Sequence, residues 1–292
     1  MRPRAALWLW ILVVSFDSAA REPQTVPIRI THHARALQPG EAVRITVTGA
    51  RPLKRVDASV FQREFSLYAG MTPMQWQGLI GIDLETKPGT YDLKLQISYQ
   101  DGASETLSHE LAIKVKTFPT RRLTVDEKFV NPPPETLDRI REESKMVEEI
   151  YASCTPARLW DGSFIAPVPG APNSSFGKRS VLNGQPRSPH SGADFDAGTG
   201  TPVRAPNSGK IVLVSDLYYS GNTIIIDHGL GLYSYFAHLS GFAVKAGDEV
   251  AKSQVVGFVG STGRVTGPHL HWSVRIAGAR VDPISLIAAV AE

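Results

Sequence analysis

The sequence predicts a mainly β protein made of two folded units that are joined by a linker and a helix. Apolar residues alternate with polar ones between residues 22 and 116, a pattern typical of half-buried strands. Short β-type runs and frequent glycines recur from residue 160 onward. The length of 292 residues exceeds what one domain usually needs. With 42% hydrophobic and 20% charged residues, the composition is that of an ordinary globular protein.

The N-terminus has the pattern of a secretory signal peptide. Arg2 and Arg4 precede an apolar run at residues 5–14, and small residues follow up to Ala20. This order predicts a signal peptide over residues 1–20 and an exported protein of the periplasm or the extracellular cell envelope. The run is shorter than the roughly 20 apolar residues that span a bilayer. An uncleaved anchor is therefore the weaker alternative, and we expect no stable membrane insertion after cleavage.

Charge and cysteine content argue against a protein that binds nucleic acid and against one that is stabilised by internal disulfides. A formal net charge of +3 without a dense basic run argues against a protein that binds nucleic acid. Cys154 is the sole cysteine, so the chain has no internal disulfide. Because no histidine lies near it in the sequence, a role for Cys154 as nucleophile is also disfavoured.

Residues 21–118 are predicted to form an immunoglobulin-like β-sandwich. Turn signals such as Pro-Gly and Asp-Gly separate the strands. The adjacent His32 and His33 could bind a metal, but exposed loop residues are the favoured interpretation. The clearest alternation lies in residues 43–47, 91–99 and 111–115.

Residues 119–158 are predicted to be a proline-containing linker followed by an amphipathic helix. Prolines at 132–134 disfavour a helix until this run of prolines ends. Apolar residues then recur at helical spacing from 135 to 153, so this face should pack on one of the two units. A membrane-surface helix is the alternative, but acids mix with bases on the polar face.

Residues 159–292 are predicted to form a second all-β unit with tight turns. Five of the eight histidines lie in it. The β-type runs are residues 209–214, 222–227, 233–236, 255–259 and 270–274.

Two short motifs of this unit carry the elements of a metal site. Side chains alternate between the faces of a strand, so His269 and His271 point to one side, as do His190 and Asp194. Two imidazoles and one carboxylate from these four side chains would form a zinc site with an open fourth position, which is typical of catalytic zinc. The chain has no His-Glu-x-x-His motif, so histidine would have to act as the general base.

Several motifs together resemble the lysostaphin/LytM-type zinc endopeptidases over about residues 160–283. The resemblance implies a C-terminal antiparallel β catalytic domain of LytM type and one Zn²⁺ per chain. Matched to the motifs of that family, the zinc ligands would be His190, Asp194 and His271, and the catalytic pair would be His238 and His269. The matching motifs lie at residues 175–179, 183–184, 190–194, 227–231, 235–239, 247–248, 260–263 and 267–271.

The resemblance implies a secreted enzyme that hydrolyses peptide bonds in peptidoglycan, in cross-links or stem peptides. Its partners would be peptidoglycan peptide and, in the envelope, other proteins. A wall-binding regulator of another peptidoglycan hydrolase is the alternative, because some relatives have lost metal ligands. The sequence departs at none of the ligand or catalytic positions, which favours the enzyme. A lipoyl or biotinyl carrier has similar turns. Such carriers need a lysine between methionines or other hydrophobic residues at a hairpin tip, and the sequence presents none there.

Overall fold

The chain is described by a computed structural model that covers residues 28–124, 130–173 and 175–291. The signal peptide predicted for residues 1–20 lies outside these ranges. Across the described ranges, no helix combines the length and the apolar character that a membrane span requires.

The first unit is a β-sandwich, as the alternation predicts. Its described strands form two antiparallel sheets, ordered β1-β2-β6-β5 and β4-β3-β7-β8. In each sheet every second side chain is buried, for example Val43, Ile45 and Val47 on one side and Leu93 and Leu95 on the other. The immunoglobulin-like character of this sandwich stays a prediction. The strands are β1 (Arg29–His33), β2 (Ala42–Thr48), β3 (Leu53–Val60), β4 (Arg63–Ser66), β5 (Tyr68–Ala69), β6 (Gln75–Gly81), β7 (Gly89–Tyr99) and β8 (Ser104–Ile113).

The connecting segment contains a strand that the sequence did not predict. Strand β9 (Thr120–Leu123) pairs in parallel with β10 (Arg179–Leu182). A short 3-10 helix, Pro134–Thr136, then leads into helix α1 (Leu137–Ala152). The apolar face of α1 packs on the second unit, as the helical spacing suggested. The residues in that contact are Met146, Val147, Ile150 and Tyr151 from the helix and Leu213, Leu217, Ile225 and Tyr233 from the sheet.

The second unit is built on a large, mostly antiparallel sheet. Among the described residues it has nine strands, with the main order β12-β19-β16-β15-β14-β17. Strands β13, β18 and β20 pair at its sides, and β10 with β11 forms a hairpin beside it. The remaining bounds are β11 (Gln185–Pro186), β12 (Gly192–Phe195), β13 (Pro202–Arg204), β14 (Gly209–Leu217), β15 (Gly221–Gly229), β16 (Leu232–Phe242), β17 (Glu249–Val250), β18 (Val255–Val259), β19 (Leu270–Ile276), β20 (Ala279–Val281) and α2 (Pro283–Ala289).

The two units share an extensive interface. Most of their buried apolar side chains belong to one continuous hydrophobic cluster. Polar contacts add to it: Asp83 accepts two hydrogen bonds from the Arg280 guanidinium, at 2.8 and 3.1 Å. The Ala42 amide donates to Ser285 Oγ at 2.9 Å, a contact that is fully buried. The sandwich therefore packs against β19, β20 and α2 of the second unit.

Candidate metal centre

Neighbouring strands bring the motif residues together. In the antiparallel pair of β12 and β19, Asp194 lies directly opposite His271. His190 comes just before β12, where its backbone extends the β10–β11 hairpin through hydrogen bonds with Gly177 and Lys178. Both predicted pairs of side chains therefore reach one place, although His190 lies in the hairpin and not in the same strand as Asp194.

Three donor atoms form a small triangle at this place. His190 Nε2 lies 3.0 Å from Asp194 Oδ1 and 3.0 Å from His271 Nδ1, and His271 Nδ1 lies 2.9 Å from Asp194 Oδ1. Among the described residues, these side chains form a group that could hold a metal ion, with their ligand atoms all within 4.8 Å of one another. Each is partly exposed, so the triangle opens to solvent.

Burial and charge act in opposite directions on this group. Burial alone would raise the pKa of Asp194, but its contacts with His190 and His271 outweigh burial and hold that pKa well below its usual range. Burial lowers the pKa of His271, against the opposing effect of Asp194. Asp194 is thus ionised, while the ring of His271 is held towards its neutral form. The remaining oxygen, Asp194 Oδ2, accepts a hydrogen bond from Ser175 Oγ at 3.3 Å.

Gly192 makes room for the His271 ring. A Cβ atom at Gly192 would lie 2.7 Å from His271 Cε1 and 2.5 Å from the carbonyl oxygen of Trp272. Both distances are far below van der Waals contact, so a side chain here would push β12 away from β19. The glycine between His190 and Asp194 in the motif therefore has a steric cause.

His238 lies beside the triangle in a constrained conformation. Its ring centroid is 6.1 Å from that of His271, and its φ of 64° falls in the left-handed region. Such a backbone costs about 1–3 kcal/mol for a residue other than glycine and persists only where the surroundings enforce it. The His238 amide donates to the carbonyl of Ser220 at 2.8 Å, and ring Nδ1 contacts the carbonyl of Thr262 at 3.0 Å. Burial lowers the pKa of His238 to about 4.

His269 completes a cluster of imidazoles. Its ring centroid lies 5.0 Å from that of His238. The residue precedes β19, in an isolated bridge with Gly260, and its Nδ1 lies 2.9 Å from the carbonyl of Gly267. A carbonyl oxygen can only accept, so Nδ1 carries the proton in both His238 and His269. In the neutral rings, each Nε2 therefore keeps a lone pair that can take up a proton.

Other residues singled out in the sequence lie away from this cluster. His228 is fully buried and hydrogen-bonded through both ring nitrogens, to Ser208 O at 2.8 Å and Ser234 Oγ at 2.9 Å, which is a structural role. Cys154 is an exposed residue, but partial desolvation of its thiol raises the pKa, which is unlike an activated nucleophile. His32 and His33 lie in β1 and not in a loop, and His32 Nδ1 lies 2.9 Å from His109 Nε2.

Sequence reasoning missed the residues that orient the cluster. Ser175 bonds to Asp194, while Ser220 and Thr262 hold the backbone and the ring of His238. Ser175 and Thr262 stood inside motifs that matched the endopeptidase pattern, so a signal was present for them. Ser220 contributes only its carbonyl to His238, and a backbone contact leaves no trace in residue type.

Comparison with known proteins identifies the family. Residues 188–283 match the sequence model of Peptidase family M23. The chain is 46% identical over 97 residues to the DD-carboxypeptidase/endopeptidase Mpg of Neisseria meningitidis, a match that covers 33% of this chain and 22% of that protein. It is 42% identical over 94 residues to the peptidoglycan DD-endopeptidase ShyA of Vibrio cholerae, covering 32% and 22%. The chain thus spans about a fifth of the length of these curated relatives.

A solved structure extends the similarity to most of the chain. The crystal structure of a Pseudomonas aeruginosa protein that is assigned to peptidase M23 aligns with this chain with a TM-score of 0.68 and 32% identity. The alignment covers 88% of this chain and 97% of that one, so it includes the sandwich as well as the sheet with the histidines. On this near-complete match, the chain belongs to peptidase family M23.

Proposed function

We propose that this protein is an exported, zinc-dependent endopeptidase that hydrolyses peptide bonds in peptidoglycan. The observation that carries the proposal is the convergence of His190, Asp194 and His271 beside two further imidazoles. In this proposal the three converging side chains bind one Zn²⁺ per chain, and His238 and His269 are catalytic residues. Residues 21–118, 119–158 and 159–292 are the proposed sandwich, connecting segment and peptidase domain.

The donor set fits zinc on two grounds. Two imidazole nitrogens and one carboxylate oxygen are the ligand types of catalytic zinc, and their separations of 2.9–3.0 Å are short enough for all three to hold one ion. Hydrogen bonds alone satisfy the triangle poorly, because Asp194 Oδ1 can accept from both rings only if His190 Nε2 and His271 Nδ1 both carry protons, which places two N–H groups 3.0 Å apart. A shared cation would satisfy all three donor atoms at once.

The chain's own residues then divide the proton transfers. A bound zinc ion would lower the pKa of water and polarise a carbonyl group. His238 and His269 each offer a lone pair at Nε2, because the proton of the neutral ring lies on Nδ1 and is donated to a backbone carbonyl. A ring that takes a proton from water at Nε2 can next donate it to the leaving nitrogen or to developing negative charge on oxygen. Burial lowers the pKa of His238 to about 4, so its ring is neutral at pH 7.

The substrate class rests on the relatives. The Neisseria and Vibrio proteins are named as DD-carboxypeptidase/endopeptidase and as peptidoglycan DD-endopeptidase, and they are 46% and 42% identical to this chain over 97 and 94 residues. A peptidoglycan substrate agrees with the signal-peptide pattern at residues 1–20, since the wall lies outside the cytoplasm. We propose peptidoglycan cross-links or stem peptides as the target, in the periplasm or the extracellular envelope, with other envelope proteins as partners.

A direct digestion tests the proposal. The purified mature protein is incubated with intact peptidoglycan, with and without a zinc chelator, and the released fragments are identified by mass. We expect peptide cleavage that the chelator abolishes and added zinc restores. Fragments cut between sugars, or cleavage that persists in chelator, would contradict it. Zinc-loaded protein that cleaves no peptide bond would instead favour a wall-binding regulator.

A further inference from the structure

Helix α1 makes polar contacts at the turn between β14 and β15, and this turn also contacts His238. Glu143 Oε2 accepts a hydrogen bond from the Tyr218 amide at 2.8 Å, just after β14 ends. Arg139 donates from Nε to Glu143 Oε1, and its Nη2 lies 3.0 Å from the carbonyl of Asp216. Glu143 is only 17% exposed, which strengthens these contacts relative to ordinary surface pairs. The helix lies upstream of residues 188–283, which match the family.

The hairpin tip, residues 218–220, supplies the backbone anchor of His238 and is hydrogen-bonded close in sequence to its ring anchor. Ser220 supplies the carbonyl that accepts from the His238 amide at 2.8 Å. Tyr219 supplies the carbonyl that accepts from the Arg264 amide at 2.8 Å. Arg264 lies two residues after Thr262, whose carbonyl accepts from the His238 ring. A shift of the tip would therefore move the support of the backbone and that of the ring together.

His238 depends on such support more than an ordinary strand residue does. Its φ of 64° is unfavourable, so the backbone would relax if the contacts around it loosened. The position of Glu143 is itself well defined, because the apolar face of α1 is packed on the sheet. A displacement of about 1 Å in a catalytic group can lower the rate by up to about 10²-fold.

We propose that Glu143 is a positioning residue, which holds the hairpin tip through the Tyr218 amide and thereby fixes His238 for proton transfer. This inference rests on the proposed function, because it assigns His238 to the reaction. It adds α1, an element outside the matched region, to the machinery of the site. Glu143 itself does not touch the reacting atoms in this proposal.

Three variants of the full-length mature protein test the inference. Glu143→Ala removes the acceptor, Glu143→Gln keeps an acceptor oxygen without the charge, and Glu148→Ala removes an exposed glutamate of the same helix. The substrate is a soluble cross-linked muropeptide, for which kcat and KM can be separated. Amide hydrogen exchange at His238 reports the contact with Ser220 independently of activity, and thermal unfolding reports global stability.

We expect Glu143→Ala to lower kcat about tenfold while KM changes less than about twofold, and to speed amide exchange at His238. Glu143→Gln should restore both quantities to near the wild-type values, and Glu148→Ala should match the wild type. Wild-type kcat and exchange in Glu143→Ala, or equal loss in the alanine and glutamine variants, would overturn the inference. An inactive wild type would count against the proposed function, whereas His238 exchange would still decide the positioning role.

Discussion

Two carboxylates of this molecule, the buried Asp83 and the partly exposed Asp194, have opposite surroundings. Asp83, at the interface of the two units, accepts hydrogen bonds from the guanidinium of Arg280, so a permanent positive charge balances it. Asp194 is held by the imidazoles of His190 and His271, at 3.0 and 2.9 Å. Burial favours the neutral form of His271, so the charge of Asp194 has no permanent counterpart among these partners.

The comparison separates a structural ion pair from a binding site. In both places burial would raise the carboxyl pKa, and in both the partners lower it below its usual range. A lowered pKa by itself therefore does not distinguish a site from an interface. The distinguishing feature is whether the charge is already neutralised. At Asp83 it is, whereas the Asp194 cluster gains most from an added cation.

The largest effect is expected from Asp194→Ala. We expect this variant to lose bound zinc and to cleave a muropeptide at least about 100-fold more slowly, since even the outer partners of metal ligands contribute 10–100-fold. Zinc content is measured by elemental analysis on protein whose fold is checked by circular dichroism. A folded Asp194→Ala protein that retains stoichiometric zinc would refute the ligand assignment.

His269→Ala should separate catalysis from metal binding. His269 contacts the Gly267 carbonyl and His238 but is not part of the donor triangle. We therefore expect full zinc content with a rate about 10²-fold lower, the usual contribution of a general acid or base. The exposed His32, paired with His109 on the sandwich, provides the control: His32→Ala should keep both zinc and rate. A near wild-type rate for His269→Ala would remove that residue from the mechanism.

Asp83→Ala should lower stability and leave zinc content and rate unchanged. It leaves Arg280 with Glu85 as a partner at 3.0 Å, and it removes contacts that tie the sandwich to β20. We expect the free energy of unfolding to fall by about 2–3 kcal/mol, below the 3–5 kcal/mol of a fully buried pair, because Arg280 is 22% exposed. Urea unfolding measures this loss. Zinc content and rate per folded molecule should stay unchanged, and a loss of zinc would mean that the interface and the centre are coupled.

How far the sequence predicted these two regions follows from the range of the interactions. Alternation within one strand predicted the sandwich and the second β unit, and helical spacing predicted α1, because those signals are local. The candidate site residues stood in short motifs, and the structure brings His190, Asp194 and His271 together. Their roles as ligands and those of His238 and His269 as catalysts stay predictions.

Contacts between residues far apart in the chain could not be predicted from the sequence. Asp83 and Arg280 are 197 positions apart, and a charged pair carries no periodicity that would mark it. Strand β9 has only exposed side chains, so its pairing with β10 left no alternation to detect. The bond from Glu143 to the Tyr218 amide escaped for a similar reason, because one of its partners is backbone.

The smallest effect is expected from pH, and it isolates the charge of Asp83. Burial would raise the pKa of Asp83, but the hydrogen bonds and charge of Arg280 lower it from 3.8 to about 2. A lowered carboxyl pKa contributes stability that is fully present above pH 3.8 and is lost as the pH falls through about 2. The difference corresponds to about 2 kcal/mol at neutral pH.

Asp83→Asn supplies the reference for this measurement, because asparagine resembles the protonated acid at every pH. Urea unfolding of both proteins between pH 7 and pH 2 should give a stability gap of about 2 kcal/mol down to near pH 4, and most of it should disappear by pH 2. Taking the difference cancels the other titrating groups, including the cluster around Asp194. A gap that persists undiminished at pH 2 would show that the amide disturbs packing, and that charge does not stabilise this interface.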